Sequence, residues 1–305
     1  MKYKELSYYG FGLAIGVRSI FHNGFRLGFR NTSSSILQPV NSYTRFPEYH
    51  VIEQKILSHA RSISQCSVLD IGSPKLLGLY LAYHHTLQLR LTDIDSLNTA
   101  PYQAMWEKWA PRARGHAAFQ IQDVRQLEIP SETFDIVYCM SVLEHIEGKE
   151  QDRTAVREML RVLKPNGLLL ISVPYGQDYI EQTKAGRTYG IEPDEKVQPS
   201  FFQRIYDREH IQSNVIRPAQ EGGEEIDPIT IFRRPGRVLN LVHWLRAYLP
   251  ESLLTVLGFL NPLASITLNQ HQEGIFEQFY TDYGIQHSFG DIYGDLVLSI
   301  TKRRS

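Results

Sequence analysis

Cysteine is scarce in this sequence, with two in 305 residues. Cys66 and Cys139 lie far apart, in or beside apolar runs that read as strands, so neither a disulfide framework nor a cysteine zinc site is indicated. No metal site is expected, and a reducing cytoplasm fits. A charge excess is also missing, because 32 Lys and Arg stand against 33 Asp and Glu. With no global field to gather a polyanion, nucleic acid is a poor substrate. Long apolar runs are lacking as well. The stretch 8–17 is short, punctuated by glycine and followed by no small-residue cleavage site, so no signal peptide is expected. The later stretch 253–268 is interrupted by Asn261 and Pro262 and falls short of the ~20 residues that span a bilayer.

What the sequence does have is a βα rhythm. Residues 1–45 are rich in Gly, Ser, Asn and aromatics and lack it, which makes them an N-terminal arm or amphipathic segment. A domain over 46–305 follows. Residues 49–63 carry Val51, Ile52, Ile56, Leu57 and Ala60 at helical spacing. Residues 67–71 read as a buried strand ending at Gly72, 74–83 as a helix, 87–91 as a second strand and 96–109 as a second helix. Phe119 and Ile121 mark a third strand. Residues 134–140 read as a fourth strand, with 136–140 the unbroken apolar run of a strand covered on both faces. An amphipathic helix over 154–163 stops at Lys164-Pro165-Asn166-Gly167, with a fifth strand over 168–173 and a terminal strand over 295–301. The architecture expected is α/β with a parallel sheet. More than a hundred residues separate the last two strands, far beyond the dozen or so of an ordinary crossover. A helical insertion, around 236–268, is expected there.

Two acids then stand out. Asp70 lies near the end of the first strand, which stops at Gly72, where open α/β sheets bind ligands and where a close approach or a positive φ favours glycine. Asp93 closes the second strand, near the ~20-residue offset at which an acidic side chain meets ribose hydroxyls in this architecture. Helix capping is the competing reading for Asp93, but Asp95 or Ser96 is better placed to cap.

At this point the chain resembles the class I S-adenosylmethionine-dependent methyltransferase family. The resemblance rests on VLDIGS at 68–73, LTDIDS at 91–96, IQDVRQL at 121–127, FDIVYCMSVLEHI at 134–146 and EMLRVLKPNGLLLISVP at 158–174, in the family's order. It implies a doubly wound, mostly parallel seven-stranded sheet with S-adenosyl-L-methionine as cofactor. Implied cofactor contacts are Asp70, Gly72 and Ser73 at the methionine end, Asp93 with Ile94 at the ribose, and Asp123 with the Val124 N–H at the adenine, while Ser141 is a candidate contact of either cofactor or substrate. The chain departs from the family's glycine-rich turn, since Pro74 and Leu76 occupy two of its glycine positions. A cofactor without pyrophosphate demands less close backbone approach, and Ser73 is available as a helix cap. The same missing glycines argue against a dinucleotide.

For the acceptor, His145 is the candidate general base, and Tyr175, Arg204, Tyr206 and His210 are candidate substrate contacts. Residues 201–210 read as a loop entering a helix capped by Asp207. The acceptor expected is a small molecule or lipid-like. A basic stripe of Arg18, His22, Arg26 and Arg30 suits peripheral contact with an anionic membrane, an anionic substrate or an arm packed on the domain. The apolar segment 238–266 is expected to cover the acceptor pocket, with a membrane-surface element, a dimer interface or core packing as alternatives. The alternative function is a degenerate, non-catalytic cofactor-binding or scaffold protein of the same fold, supported by Pro74 and Leu76.

Overall fold

Apolar runs in this chain pair into a mostly parallel sheet. A computed structural model describes residues 10, 11, 14, 45–184, 200–227, 230–233 and 294–303. The segment expected as a helical insertion, and nearly all of residues 1–45, lie outside the described residues. The chain divides into two compact units, residues 1–51 with 232–278 and residues 52–231 with 279–305. The sheet and the candidate site belong to the second.

Helix α1 spans Arg45–Ala60, starting earlier and ending sooner than its apolar spacing predicts, with Tyr49, Ile52 and Ile56 buried. The succession continues with β1 (Ser67–Ile71), α2 (Lys75–His84), β2 (Gln88–Asp93), α3 (Ser96–Trp109), β3 (His116–Ile121) and β4 (Phe134–Met140). Next come α4 (Gln151–Val162), β5 (Leu163–Tyr175), β6 (Ile180–Lys184) and β7 (Ser200–Ile205). Last are α5 (Arg208–Ile211), α6 (Arg217–Glu221), β8 (Glu225–Ile226), β9 (Thr230–Arg233) and β10 (Gly294–Thr301).

The main path through the sheet runs β3-β2-β1-β4-β5-β10-β8. Pairings among β1 to β5 are parallel, and β10 is antiparallel to β5 and to β8. The winding direction reverses between β1 and β4, which puts the switch-point crevice at their carboxyl ends. Buried Ala155, Val156, Met159 and Leu160 recur on α4 at helical spacing and pack with Leu69, Val137, Ile171 and Leu298 of the strands. Truncating a side chain such as Met159 in that layer costs about 2–5 kcal/mol.

Two segments differ from their sequence reading. Lys164-Pro165-Asn166-Gly167 does not separate helix from strand, because β5 already begins at Leu163. The Asn166 N–H donates to Lys302 O at 2.7 Å, and the Lys302 N–H to Gly167 O at 3.0 Å, so the terminal strand extends the sheet over the turn. Residues 201–205, expected as a loop, form β7 in an antiparallel hairpin with β6. The helix starts only after Asp207, whose side chain caps it from His210 N at 2.9 Å.

Candidate functional site

At the carboxyl end of β1 the chain turns sharply on Gly72, whose φ is +61°. A Cβ there would lie 3.1 Å from the Val142 side chain, so the turn needs glycine for conformation and for space. The Gly72 N–H donates to Thr92 O at 3.0 Å, and the Thr92 hydroxyl donates back to Asp70 O at 2.6 Å. Ser73 does not cap α2. Pro74 takes the cap position, and the Ser73 hydroxyl accepts from Met140 N at 2.9 Å, joining the turn to β4.

Asp70 is fully buried beneath this turn. Its carboxylate accepts from Ser73 N at 3.0 Å, from the Lys75 ammonium at 3.0 Å and from the Tyr138 hydroxyl at 2.5 Å. Burial pushes its carboxyl upward, against the pull of Lys75, Tyr138 and Ser73. Lys75, a residue that sequence reasoning did not single out, is itself buried. It donates further to Ser73 O and Thr92 O, each at 2.7 Å. The helix can approach this network because Gly78 has no side chain: a Cβ there would sit 2.5 Å from Leu91 and 2.9 Å from the Tyr138 hydroxyl. Close helix packing, one of the tasks of a glycine-rich turn, therefore falls to Gly78.

The end of β2 carries Asp93. One of its oxygens accepts from Asp95 N and from the Asn98 amide, both at 3.0 Å, and the other lies 4.0 Å from the Lys75 ammonium. Capping of α3 is left to Asp95, which accepts from Leu97 N. Ile121 of β3 stands opposite Asp93 in register. Among the described residues the exposed large apolar side chains are Ile94, Leu97 and Ile121, at 49%, 59% and 48%. Asp123 follows β3. Its carboxylate is held by Arg125 through contacts of 2.6–3.0 Å, and that hydrogen bonding keeps it below the usual carboxylate range. The Val124 side chain is buried in the core.

The other side of the crevice follows β4 and β5. Ser141 has a φ of +52°, and its N–H donates to Ser172 O at 3.0 Å. His145 closes a short 3-10 turn, Leu143–His145, with Nδ1 2.7 Å from Phe202 O and Nε2 3.9 Å from Glu144 Oε1. A carbonyl only accepts, so Nδ1 carries the proton and Nε2 the lone pair in the neutral ring. Tyr175 bridges to Tyr206, which brings β7 to the end of β5.

Arg204 and Tyr206, expected to touch substrate, are instead buried around Asp152. The Arg204 guanidinium lies 3.1 Å from Asp152 Oδ2, and the Tyr206 hydroxyl donates to the same oxygen at 2.9 Å. Arg204 also donates to Ile146 O at 2.7 Å. The pair ties the hairpin to α4. His210 packs its ring on Tyr179, with centroids 3.8 Å apart, and sets Nδ1 2.7 Å from Asp207. Burial raises the phenols of Tyr175 and Tyr206 above their ordinary value, and burial with the Glu181 hydrogen bond pushes Tyr179 up to about 12. These phenols stay protonated near neutrality, so they can donate but do not serve as bases. The imidazoles are the groups suited to accept a proton here. Among the described residues no group of three or more His, Cys, Asp or Glu is placed to hold a metal.

Sheet order, switch-point turn and carboxylate at the end of β2 together define the class I S-adenosylmethionine-dependent methyltransferase fold. Residues 69–171 match the family model described as a methyltransferase domain. Similar relatives include a ubiquinone biosynthesis O-methyltransferase of Rickettsia typhi, 28% identical over 140 residues, covering 46% of this chain and 51% of the relative. The counterpart from Rickettsia felis is 27% identical over 140 residues, covering 46% and 52%. The match thus spans about half the length of these relatives. Among solved structures, a SAM-dependent methyltransferase from Methanosarcina mazei aligns with a TM-score of 0.49 at 14% identity, covering 80% of this chain and 95% of that one. Phosphoethanolamine N-methyltransferase 2 of Haemonchus contortus, solved with S-adenosyl-L-methionine, aligns at 0.45 and 15% identity, covering 85% and 53%.

Proposed function

We propose that this chain is an S-adenosylmethionine-dependent O-methyltransferase whose acceptor is a hydroxyl of a small, lipid-like molecule of the ubiquinone-precursor type. The observation that carries the cofactor half is the Asp93 carboxylate at the end of β2, flanked by the exposed apolar side chains of Ile94 and Ile121. A carboxylate accepts from ribose hydroxyls, and two exposed aliphatic groups offer an apolar platform for a purine. Asp123 and the Val124 N–H then serve the adenine edge, and Asp70, Gly72, Ser73 and Ser141 the methionine end. When bound, the cofactor supplies an electrophilic sulfonium methyl.

What the chain adds is orientation and a proton acceptor. In this reading His145, whose Nδ1–H is held by Phe202 O, offers Nε2 as the acceptor of the hydroxyl proton, with Glu144 Oε1 3.9 Å from that nitrogen. Tyr175 and His210 line the acceptor end. Arg204 and Tyr206 serve it indirectly, by holding β7 in place through Asp152. Oxygen is favoured as the acceptor atom by the names of the Rickettsia relatives. An acceptor of that kind also suits peripheral membrane contact through the basic and apolar segments 18–30 and 238–266. Among the described residues no helix is long and apolar enough to cross a membrane.

Calorimetry with S-adenosylhomocysteine tests the cofactor half. Methyl transfer to a catechol and to a prenylated phenol tests the acceptor half. Micromolar binding with turnover on either phenol is expected. Binding without turnover on any hydroxyl acceptor leaves the non-catalytic alternative standing, and no binding removes the whole reading. Liposome sedimentation of the Trp244→Ser, Leu245→Ser variant tests the membrane contact, which predicts lost sedimentation.

A further inference from the structure

Where the family's turn approaches its cofactor through several glycines, this chain keeps Gly72 and places a buried ammonium two residues beyond Ser73. Every described partner of that ammonium belongs to the two strand ends that flank the proposed cofactor. Lys75 Nζ donates to Asp70 Oδ1 at 3.0 Å and Ser73 O at 2.7 Å on the β1 side, and to Thr92 O at 2.7 Å on the β2 side. It also lies 4.0 Å from Asp93 Oδ2. The other Asp93 oxygen is fixed by Asp95 N and the Asn98 amide. The carboxylate is therefore fixed by hydrogen bonds at Oδ1, and its Oδ2 lies at the outer limit of ion-pair distance from the buried cation. An ammonium with three short acceptors inside the protein is held rigidly, since each lost contact would leave a buried polar group unsatisfied.

We propose that Lys75 is the positioning residue of the cofactor turn: by tying Asp70 and Ser73 O to Thr92 O, it holds the end of β2 so that Asp93 presents its carboxylate to the ribose hydroxyls. The glycines' second task, close packing of the helix on the sheet, is met by Gly78. The first task, fixing the turn's path, is met by a charge. This inference rests on the reading of Asp93 as the ribose carboxylate.

The test compares binding of S-adenosylhomocysteine with binding of its analogue lacking both ribose hydroxyls, by calorimetry, in the wild type, K75M, D93A and K75M/D93A. A general loosening of the fold would weaken both ligands alike. Loss of positioning weakens only the hydroxyl-bearing one. K75M is expected to lose about 10-fold in affinity for S-adenosylhomocysteine, or ~1.4 kcal/mol, to change little toward the analogue, and to add nothing further once Asp93 is Ala. Removing the ammonium strands the buried Asp70 carboxylate, which can unfold the protein. The D70N/K75M variant removes both charges while leaving an acceptor for Ser73 N; because Asp70 itself belongs to the methionine end of the site, this variant is expected to weaken both ligands and to lose the wild-type preference for the hydroxyl-bearing one. A folded variant of either kind that keeps the wild-type preference for the hydroxyl-bearing ligand overturns the role of Lys75. A wild type that binds neither ligand, or a D93A protein that still prefers the hydroxyls, overturns the ribose reading beneath it.

Discussion

The two sides of the crevice are built differently. On the cofactor side the polar groups that matter come from turns at strand ends, and they bond across neighbouring strands, Gly72 to Thr92 and Thr92 to Asp70, or within one strand-to-helix turn, Asp93 to Asp95 and Asn98. On the acceptor side they come from elements distant in sequence, with His145 against Phe202 and Asp152 against Arg204 and Tyr206. The first arrangement is nearly fixed once the parallel sheet forms. The second exists only if the β6–β7 hairpin docks, so it is the place where variation in sequence can change the acceptor without touching the cofactor.

That contrast can be broken most severely at His145. A general base contributes about 10²–10⁴-fold, so His145→Gln should lower kcat by that order while calorimetry finds cofactor affinity kept. His210→Gln, by comparison, should act mainly on KM for the acceptor. If both variants turn over like wild type, the imidazoles are packing residues and the reaction needs only alignment of acceptor and methyl.

Next in size is the buried ion pair. Asp152→Ala leaves the Arg204 guanidinium buried with its carboxylate partner gone, a change that costs about 3–5 kcal/mol in such settings. Urea unfolding should register the loss, and the folded fraction should still bind S-adenosylhomocysteine, because the cofactor side makes none of these bonds. A change below ~1 kcal/mol would mean that the hairpin is held by its apolar contacts. Smaller again is Asp93→Ala, expected to weaken cofactor binding by roughly 1–3 kcal/mol, the range for hydroxyls left without a partner. Unchanged affinity in a folded variant would remove the ribose assignment.

The same contrast explains what the sequence made legible. Strands β1 and β4 take the bounds that their largely apolar runs mark, and Asp70, Gly72 and Asp93 end up together because strand ends in a parallel sheet are neighbours by construction. Lys75 escaped notice since two of its acceptors, Ser73 O and Thr92 O, are backbone atoms that no residue pattern advertises. Its one visible signal is a lone cation opening the apolar helix KLLGLYLA. The strand β7 was read as a loop because Phe201-Phe202-Gln203-Arg204 does not alternate, and its pairing with β6 is set by a partner beyond the reach of local spacing. Arg204 and Tyr206 look like surface residues for the same reason: only the fold brings Asp152 under them.

The smallest effect is expected at Asp123, where the cofactor side meets solvent. Its side chain is 35% exposed and held by Arg125, itself 40% exposed, so the pair is screened and worth less than ~1 kcal/mol to the fold. Arg125 holds the Asp123 carboxyl below the ordinary carboxylate range. A depressed folded value gives a contribution present above the unfolded value and lost as pH falls through the folded one, so the pair's part in stability should fade only in acid and stay flat near neutrality. Asp123→Ala should therefore leave the urea midpoint at pH 7 almost unchanged. Its consequence should be read in binding: the wild type is expected to prefer S-adenosylhomocysteine over an analogue lacking the adenine amine, and the variant to lose that preference. Arg125→Ala sharpens the point, since it frees the carboxylate without removing it. If Asp123 serves the amine, this variant keeps the preference or strengthens it. A variant without Asp123 that still discriminates as wild type does would assign the residue to its turn and the adenine edge to other groups.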